Sequence, residues 1–404
     1  MSQIQTKTNY EVPFFHSNTR TEFRIASADK VVLSNLRLCE FGCSSVVPVG
    51  TNPNEASYVR GAGLYALIKN IYLYSGSVLI DQMRDVSRYM GFKNLIMTSA
   101  EAEDLNRFLV CSNSAVGLST GFDEEANRVE YSQQLNKLIG RVPLSQIFSL
   151  LNATDFFNSW NDLRLVIEYN TDVRDIFSNS GNLIRPASFT VNTPLLAFDE
   201  LVMGLNERDV MLKEAKQVKL AYEQVERERW YVPANQPYYS QRLRAFDEKI
   251  VSRIVVQTGI TNEFSDSMGR SYSKAVLGEK INFVVNGRKF LPYQGADTPA
   301  KKLAMCLDSF GDILTFTGQN DIIAEDNIPE VYDNSTQSTL EGSNGMSLLS
   351  CDILNRINTL DVEYSRDTTQ MGISTIVELE MFAFGAVSMY LVKNADGTIQ
   401  TGYV

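Results

Sequence analysis

Histidine is almost missing from this chain: among 404 residues there is one, His16. Nucleophilic catalysis of the Ser-His or Cys-His kind needs an imidazole beside an activated hydroxyl or thiol. His16 lies in a polar N-terminal segment, far from any serine or cysteine in an elbow-like turn. Cysteine is scarce as well. Cys39, Cys43, Cys111, Cys306 and Cys351 are odd in number and scattered, which fits a reducing compartment rather than a disulfide framework. The sequons at Asn152 and Asn334 are then expected to stay unglycosylated. No apolar run approaches the roughly eighteen residues of a membrane span, and the opening Met-Ser-Gln-Ile-Gln-Thr-Lys lacks the apolar core of a signal peptide. Basic charge is short too. A balance of 37 Lys and Arg against 48 Asp and Glu gives a net charge of -11 and a pI near 4.9, the opposite of a footprint that grips nucleic acid nonspecifically. The phosphate-binding pattern GxxxxGK[ST] is absent.

The remaining chemical motifs are incomplete. Gly61-Ala-Gly63-Leu-Tyr-Ala66 matches the relaxed dinucleotide pattern GxGxxA, but that mechanism needs a strand before it and a helix N-terminus after it. Here a Pro/Asn loop precedes and a β-run follows. Cys39 and Cys43 have a spacing a metal could use, yet a structural zinc needs two more ligands. Two small core residues at a strand end are the simpler reading. Asp123-Glu-Glu125 and Glu325-Asp326 hold the carboxylates a glycosidase would need, although charged loop clusters are more often solvated surface. No catalytic, cofactor-binding or metal-ligating residue is therefore assigned, and no cofactor. A carbohydrate-binding or carbohydrate-active β-sandwich stands as the alternative function.

What the chain does have is a strand pattern and a repeat. At 404 residues it is long for one domain and comfortable for two. Leu165-Val-Ile-Glu-Tyr-Asn-Thr-Asp172 returns 195 residues later (360 minus 165) as Leu360-Asp-Val-Glu-Tyr-Ser-Arg-Asp367. Both alternate as strands with one buried face: Leu163, Leu165, Ile167 and Tyr169 in the first copy, Leu360, Val362 and Tyr364 in the second, with Glu168 and Glu363 outward. Each copy is followed by another apolar strand, at 188–198 and 376–384. Further strands are predicted over 30–39, 64–81, 138–144, 249–257, 280–286, 312–317 and 374–392, with short helices at 83–90, 100–109 and 299–307. Ser75-Gly-Ser77 supplies a bulge or tight bend, and Asn286-Gly287 is a favoured type I′ hairpin pair. Met211, Ala215, Val218, Tyr222 and Val225, at three- and four-residue steps, predict one long helix from Asn206 to Arg229. Many strands and one good helix point to tandem all-β sandwiches. The expected division is an N-terminal arm at 1–28, a first sandwich at 29–204, a connector helix at 205–229 and a second sandwich at 230–404. The arm, with Val12-Pro-Phe-Phe15 at its centre, either docks on a neighbour or is a disordered tail.

Four segments carry a resemblance: Gly140-Arg-Val-Pro-Leu-Ser-Gln-Ile-Phe148, Asp162-Leu-Arg-Leu-Val-Ile-Glu-Tyr169, Leu195-Leu-Ala-Phe-Asp-Glu200 with the charged segment from Asn206, and Ala66-Leu-Ile-Lys-Asn-Ile-Tyr-Leu-Tyr74. Together they resemble the double jelly-roll major capsid proteins of the PRD1–adenovirus lineage, closest to virophage, Polinton-like virus and tailless-phage members. The resemblance implies a mainly β chain of two tandem eight-stranded jelly rolls with a connecting helix. It implies a non-enzymatic subunit of the virion that forms a homotrimer, a pseudo-hexameric capsomer tiling an icosahedral shell assembled inside the host cell. The implied partners are neighbouring capsomers, penton and minor capsid proteins and an internal membrane, with no sequence-specific nucleic-acid binding. Surface loops are expected at 114–128, 262–276 and 327–344.

Overall fold

The computed structural model describes residues 5–26, 30–47, 62–96, 137–157, 162–177, 185–207, 217–244, 250–261, 279–291, 347–366 and 376–393, with shorter pieces at 58–59, 264–265, 269–273, 295–297, 301–302, 305, 308–309 and 399–403. The first twelve strands are β1 (Gln5–Glu11), β2 (Phe15–His16), β3 (Arg20–Ile25), β4 (Val32–Leu33), β5 (Arg37–Val47), β6 (Ile68–Ser75), β7 (Val78–Arg84), β8 (Lys137–Pro143), β9 (Phe156–Phe157), β10 (Leu163–Tyr169), β11 (Ser188–Val191) and β12 (Leu195–Val202). They form two antiparallel sheets. One follows the order β11-β5-β12-β4-β9, with β1 added on β12 and β8 on β5; the other runs β2-β3-β10-β6-β7.

The second set is β13 (Gln217–Val232), β14 (Tyr238–Leu243), β15 (Ile250–Ile260), β16 (Phe264–Ser265), β17 (Gly269–Ser273), β18 (Lys280–Val285), β19 (Arg288–Lys289), β20 (Ser347–Arg356), β21 (Leu360–Ser365), β22 (Val377–Lys393) and β23 (Ile399–Tyr403). Its sheets are β13-β22-β15-β20 with β23 on β22, β14-β21-β18-β19, and the small hairpin β16-β17. That hairpin occupies part of the loop expected at 262–276. Among the described residues no strand of the first set pairs with one of the second. The first roll carries more than eight strands because β1 adds to an edge and short pieces such as β2, β4 and β9 extend the sheets.

The repeated octapeptides occupy matching places. β10 lies between β3 and the hairpin β6-β7, and β21 between β14 and the hairpin β18-β19. Leu163, Leu165, Ile167 and Tyr169 are buried, as are Leu360, Val362 and Tyr364, so the inward face was legible from alternation alone. The second hairpin turns on Asn286 (φ 51°) and Gly287 (φ 78°), the two positive values a type I′ turn demands. The Asn286 side chain also accepts from the amides of Asn358 (2.8 Å) and Thr359 (3.1 Å), tying the turn to the segment before β21. In the first hairpin Gly76 (φ 59°) makes the tight bend.

Two expectations are corrected. The helix expected over 206–229 is largely a strand: residues 205–207 form a helical turn, but Gln217–Val232 is β13. Its three- and four-residue apolar spacing is overridden because all sixteen residues pair with β22, from Gln217 opposite Val392 to Val232 opposite Val377. The predicted helix positions at 208–216 lie outside the described residues. The N-terminal arm is also not separate. β1 pairs along β12, where Thr8 donates to Asp199 (2.7 Å) and Asn9 to Glu200 (2.7 Å), and Phe23 and Ile25 of β3 are fully buried. The predicted helix at 83–90 begins later, after a turn at Asp85 (φ 53°), as α1 (Val86–Ile96). The predicted elements at 100–109 and 312–317 and the loops at 114–128 and 327–344 lie outside the described residues.

Candidate assembly surfaces

The residues flagged for chemistry are used structurally. His16 sits in β2, its Nδ1 2.7 Å from Thr21 Oγ1 and its Nε2 3.3 Å from the Val191 carbonyl oxygen. The Tyr169 hydroxyl donates to the same Thr21 oxygen at 2.7 Å. Cys39 and Cys43 are free thiols in β5, and burial pushes the Cys43 thiol up to about 12, far from the thiolate a metal binds. Among the described residues no three His, Cys, Asp or Glu side chains form a group that could hold a metal ion. Gly63 begins a buried 3-10 turn, Gly63–Leu67, that runs straight into β6. No helix N-terminus follows to aim amides at a pyrophosphate. Asp123-Glu-Glu125 and Glu325-Asp326 lie outside the described residues.

The densest polar constellation joins the two rolls, and nothing in the sequence reading anticipated it. β22 is buried on both faces. Val377, Leu379, Met381 and Ala383 occupy one face and Glu378, Glu380, Phe382 and Phe384 the other, all essentially without solvent exposure. The second face is covered by α1 of the first roll. Phe92 packs on Phe382 with ring centroids 5.2 Å apart, and Tyr89 lies 6.0 Å from Phe382 and 6.3 Å from Phe384. One turn earlier Arg88, 1% exposed, meets Glu378 at 2.7 Å and also pairs with Glu380. Two arginines of β13 complete the set: Arg227 pairs with Glu380 and with Asp85 (3.0 Å), and Arg229 with Glu378 (2.8 Å). Burial by itself would lower the Arg88 pKa, but Glu380, Glu378 and Asp85 together raise it above its ordinary value. Arg88, Arg227 and Arg229 balance Glu378, Glu380 and Asp85, so the charges can be buried without an unpaired ion. Away from this cluster Tyr222 of β13 donates to the Ile80 carbonyl and Ser149 to the Glu223 carbonyl, adding contacts between the rolls. A signal was present in the sequence: Phe382 and Phe384 share parity with Glu378 and Glu380, and a face bearing two phenylalanines is not a solvated one.

A second surface is the outer face of the β2-β3-β10-β6-β7 sheet. Glu22, nearly buried, is contacted by Arg20 (3.0 Å), Arg24 (2.8 Å) and Arg164 (3.1 Å). The Arg24 guanidinium lies 3.8 Å from the Phe14 ring centroid, and that of Arg164 lies 4.9 Å from Tyr74. Tyr10, Val12, Phe14 and Phe15 are exposed nearby in the sequence, the largest run of exposed apolar side chains among the described residues.

No family model and no curated protein matches the sequence. Solved structures do. The mavirus major capsid protein is 10% identical with a TM-score of 0.58, over 98% of this chain and 90% of that one. A quasi-atomic model of the PBCV-1 virus capsid is 10% identical with a TM-score of 0.53, over 100% of this chain and 98% of that one. The PBCV-1 capsid structure fitted into the virophage Sputnik reconstruction gives 10% identity and a TM-score of 0.51, over 100% and 98%. The chain has the double jelly-roll fold of these proteins.

Proposed function

We propose that this chain is a viral major capsid protein, a structural subunit without catalysis, that trimerises into pseudo-hexameric capsomers tiling an icosahedral shell. The observation that carries the reading is the locking of two similarly ordered jelly rolls into one body through α1 and the Arg88 cluster. Three such bodies around a closed threefold axis present six similar rolls, so one gene product fills hexagonal sites. The likeness to the mavirus and PBCV-1 capsid proteins along nearly the whole chain supports it. The partners are then other copies, neighbouring capsomers, penton and minor capsid proteins, with an internal membrane beneath, and the location is the virion. Light scattering on the purified protein is expected to give about three times the 45.3 kDa chain mass, with hexagonal outlines in negative stain. A stable monomer at micromolar concentration would sink the capsomer reading.

A further inference from the structure

We infer that β1 is an assembly edge: in one copy of this chain it pairs antiparallel with β1 of a second copy, about a twofold axis at Asn9. Within the chain β1 is hydrogen-bonded along one side, to β12, from Gln5 opposite Val202 to Glu11 opposite Leu196. In an antiparallel ladder alternate residues turn their N–H and C=O to the partner, and the residues between turn theirs away. On the side away from β12, no backbone group of residues 5–11 bonds to a described residue. Five of the seven residues are exposed and the other two are half-buried. The strand has no proline and no bulge to blunt it. An edge left open in this way is a template for another strand, whose main chain supplies the missing partners.

The strand is complementary to itself in one register. Residues opposite one another must both turn their polar groups to the new ladder or both away, so a twofold axis falls at a residue. An axis at Lys7 sets two lysines face to face, one at Thr8 sets Lys7 against Asn9, and one at Tyr10 leaves Lys7 without an anion. An axis at Asn9 sets Lys7 opposite Glu11 twice over, with Thr8 opposite Tyr10. Opposite charges directly across a ladder stabilise it and like charges do the reverse. Both groups are available. Among the described residues neither Lys7 nor Glu11 forms an ion pair, and Glu200, opposite Lys7 on β12, is bound by Asn9 at 2.7 Å. Tyr10, 62% exposed, then lies diagonally across from Tyr10 of the second copy, within reach of a ring and out of much of its water.

A contact of this kind uses the same patch on both partners, so two copies complete it and it cannot generate a threefold ring. The pairing itself is independent of the capsomer reading; its place between capsomers, rather than within one, rests on that reading. A foreign strand would have to bring a cation and an anion at the spacing of Lys7 and Glu11, which a second copy of β1 carries already.

The test is oxidative cross-linking of the full chain, read on non-reducing gels, with thermal melting as the check on folding and the wild type as the baseline for its native cysteines. Asn9→Cys places two thiols directly opposite, within disulfide reach. It is expected to give a band at twice the 45.3 kDa chain mass, in about ten times the wild-type yield. Lys7→Cys alone should stay at the baseline, because its two copies stand four residues apart along the ladder, roughly 13 Å. Lys7→Cys with Glu11→Cys in one chain should link again. That pair leaves the bonds of Thr8 and Asn9 to β12 in place, so it serves where Asn9→Cys weakens the strand. Adding Glu11→Lys to Asn9→Cys sets lysines against each other and should cut the yield about fivefold at low salt, with added salt restoring it. Equal linking by Asn9→Cys and Lys7→Cys would mark chance collision and overturn the inference. Baseline linking by Asn9→Cys and by the double variant, in normally melting trimers, would overturn it and leave the capsomer reading intact. A wild type that light scattering shows to be monomeric, but whose Asn9→Cys variant links, would uphold the pairing and sink the capsomer reading.

Discussion

Asp81 carries the pH dependence that can be read at single-residue scale. It sits in β7 with 3% exposure. Burial raises its carboxyl from 3.8 to about 7, and the amides of Gln82 and Leu150 offset only part of that. The folded protein therefore holds a proton on Asp81 that the unfolded chain has released, throughout the interval between those two values. Stability falls as pH rises across it, by about 1.4 kcal/mol per unit at most and on the order of 4 kcal/mol in all. Asp172 behaves in the opposite sense: its bond to Arg174 holds the carboxyl below its usual value, so that contribution is lost in acid. Asp81→Asn mimics the protonated side chain. Its stability advantage over the wild type is expected to grow between pH 4 and pH 8 in thermal or denaturant unfolding. A difference independent of pH would show that Asp81 is not the titrating group.

At the scale of elements, the sequence was readable where one face of a strand is wet. β21 alternates because one side meets the core and the other carries Glu363, and β10 does the same with Glu168 outward apart from Val166, which is buried on the outer side as well. Val362 is 0% exposed between Gln241 of β14 and Phe283 of β18, and Ile167 occupies the matching place in β10. Val362→Asp or Ile167→Asp is expected to cost several kcal/mol by burying an unpaired charge, enough to leave the protein insoluble. Soluble, normally melting protein from either variant would mean that the strand faces are reversed. β13 was unreadable for the converse reason. Its glutamates, arginines and Lys219 are good helix formers, and their use as a strand depends on Glu378 and Glu380, about 150 residues away. The hydrogen bonds of β13 to β22 and the ion pairs of Arg227 and Arg229 outweigh local propensity, and no window centred on β13 contains those partners. The same distance hid the Arg88 cluster, whose members lie in three separate stretches of chain. The acidic pairs could not be judged at all, since sequence does not say which carboxylates face each other.

For the whole molecule, the decisive feature is that buried apolar contacts run without interruption from Phe23 in the first roll to Val387 in the second. Two rolls sharing one core should unfold together, so calorimetry of the intact chain is expected to give a single transition. Arg88→Ala removes one of several links and leaves Glu378 and Glu380 buried with fewer partners, at a cost of about 3–5 kcal/mol. Its transition should fall in temperature and stay single, because the aromatic contacts of α1 with β22 remain. Two transitions already present in the wild type would show that the rolls are energetically independent. The contact between α1 and β22 also imposes an order on biosynthesis. Arg88 and Glu380 are 292 residues apart, so a ribosome that has just finished α1 has most of the chain still to translate before β22 emerges. At roughly 5–20 residues per second that delay is on the order of tens of seconds. Throughout it Tyr89 and Phe92 lack Phe382 and Phe384, the rings they pack against in the finished protein. That wait follows from the spacing of the two segments along the chain, whatever the stability of the completed fold.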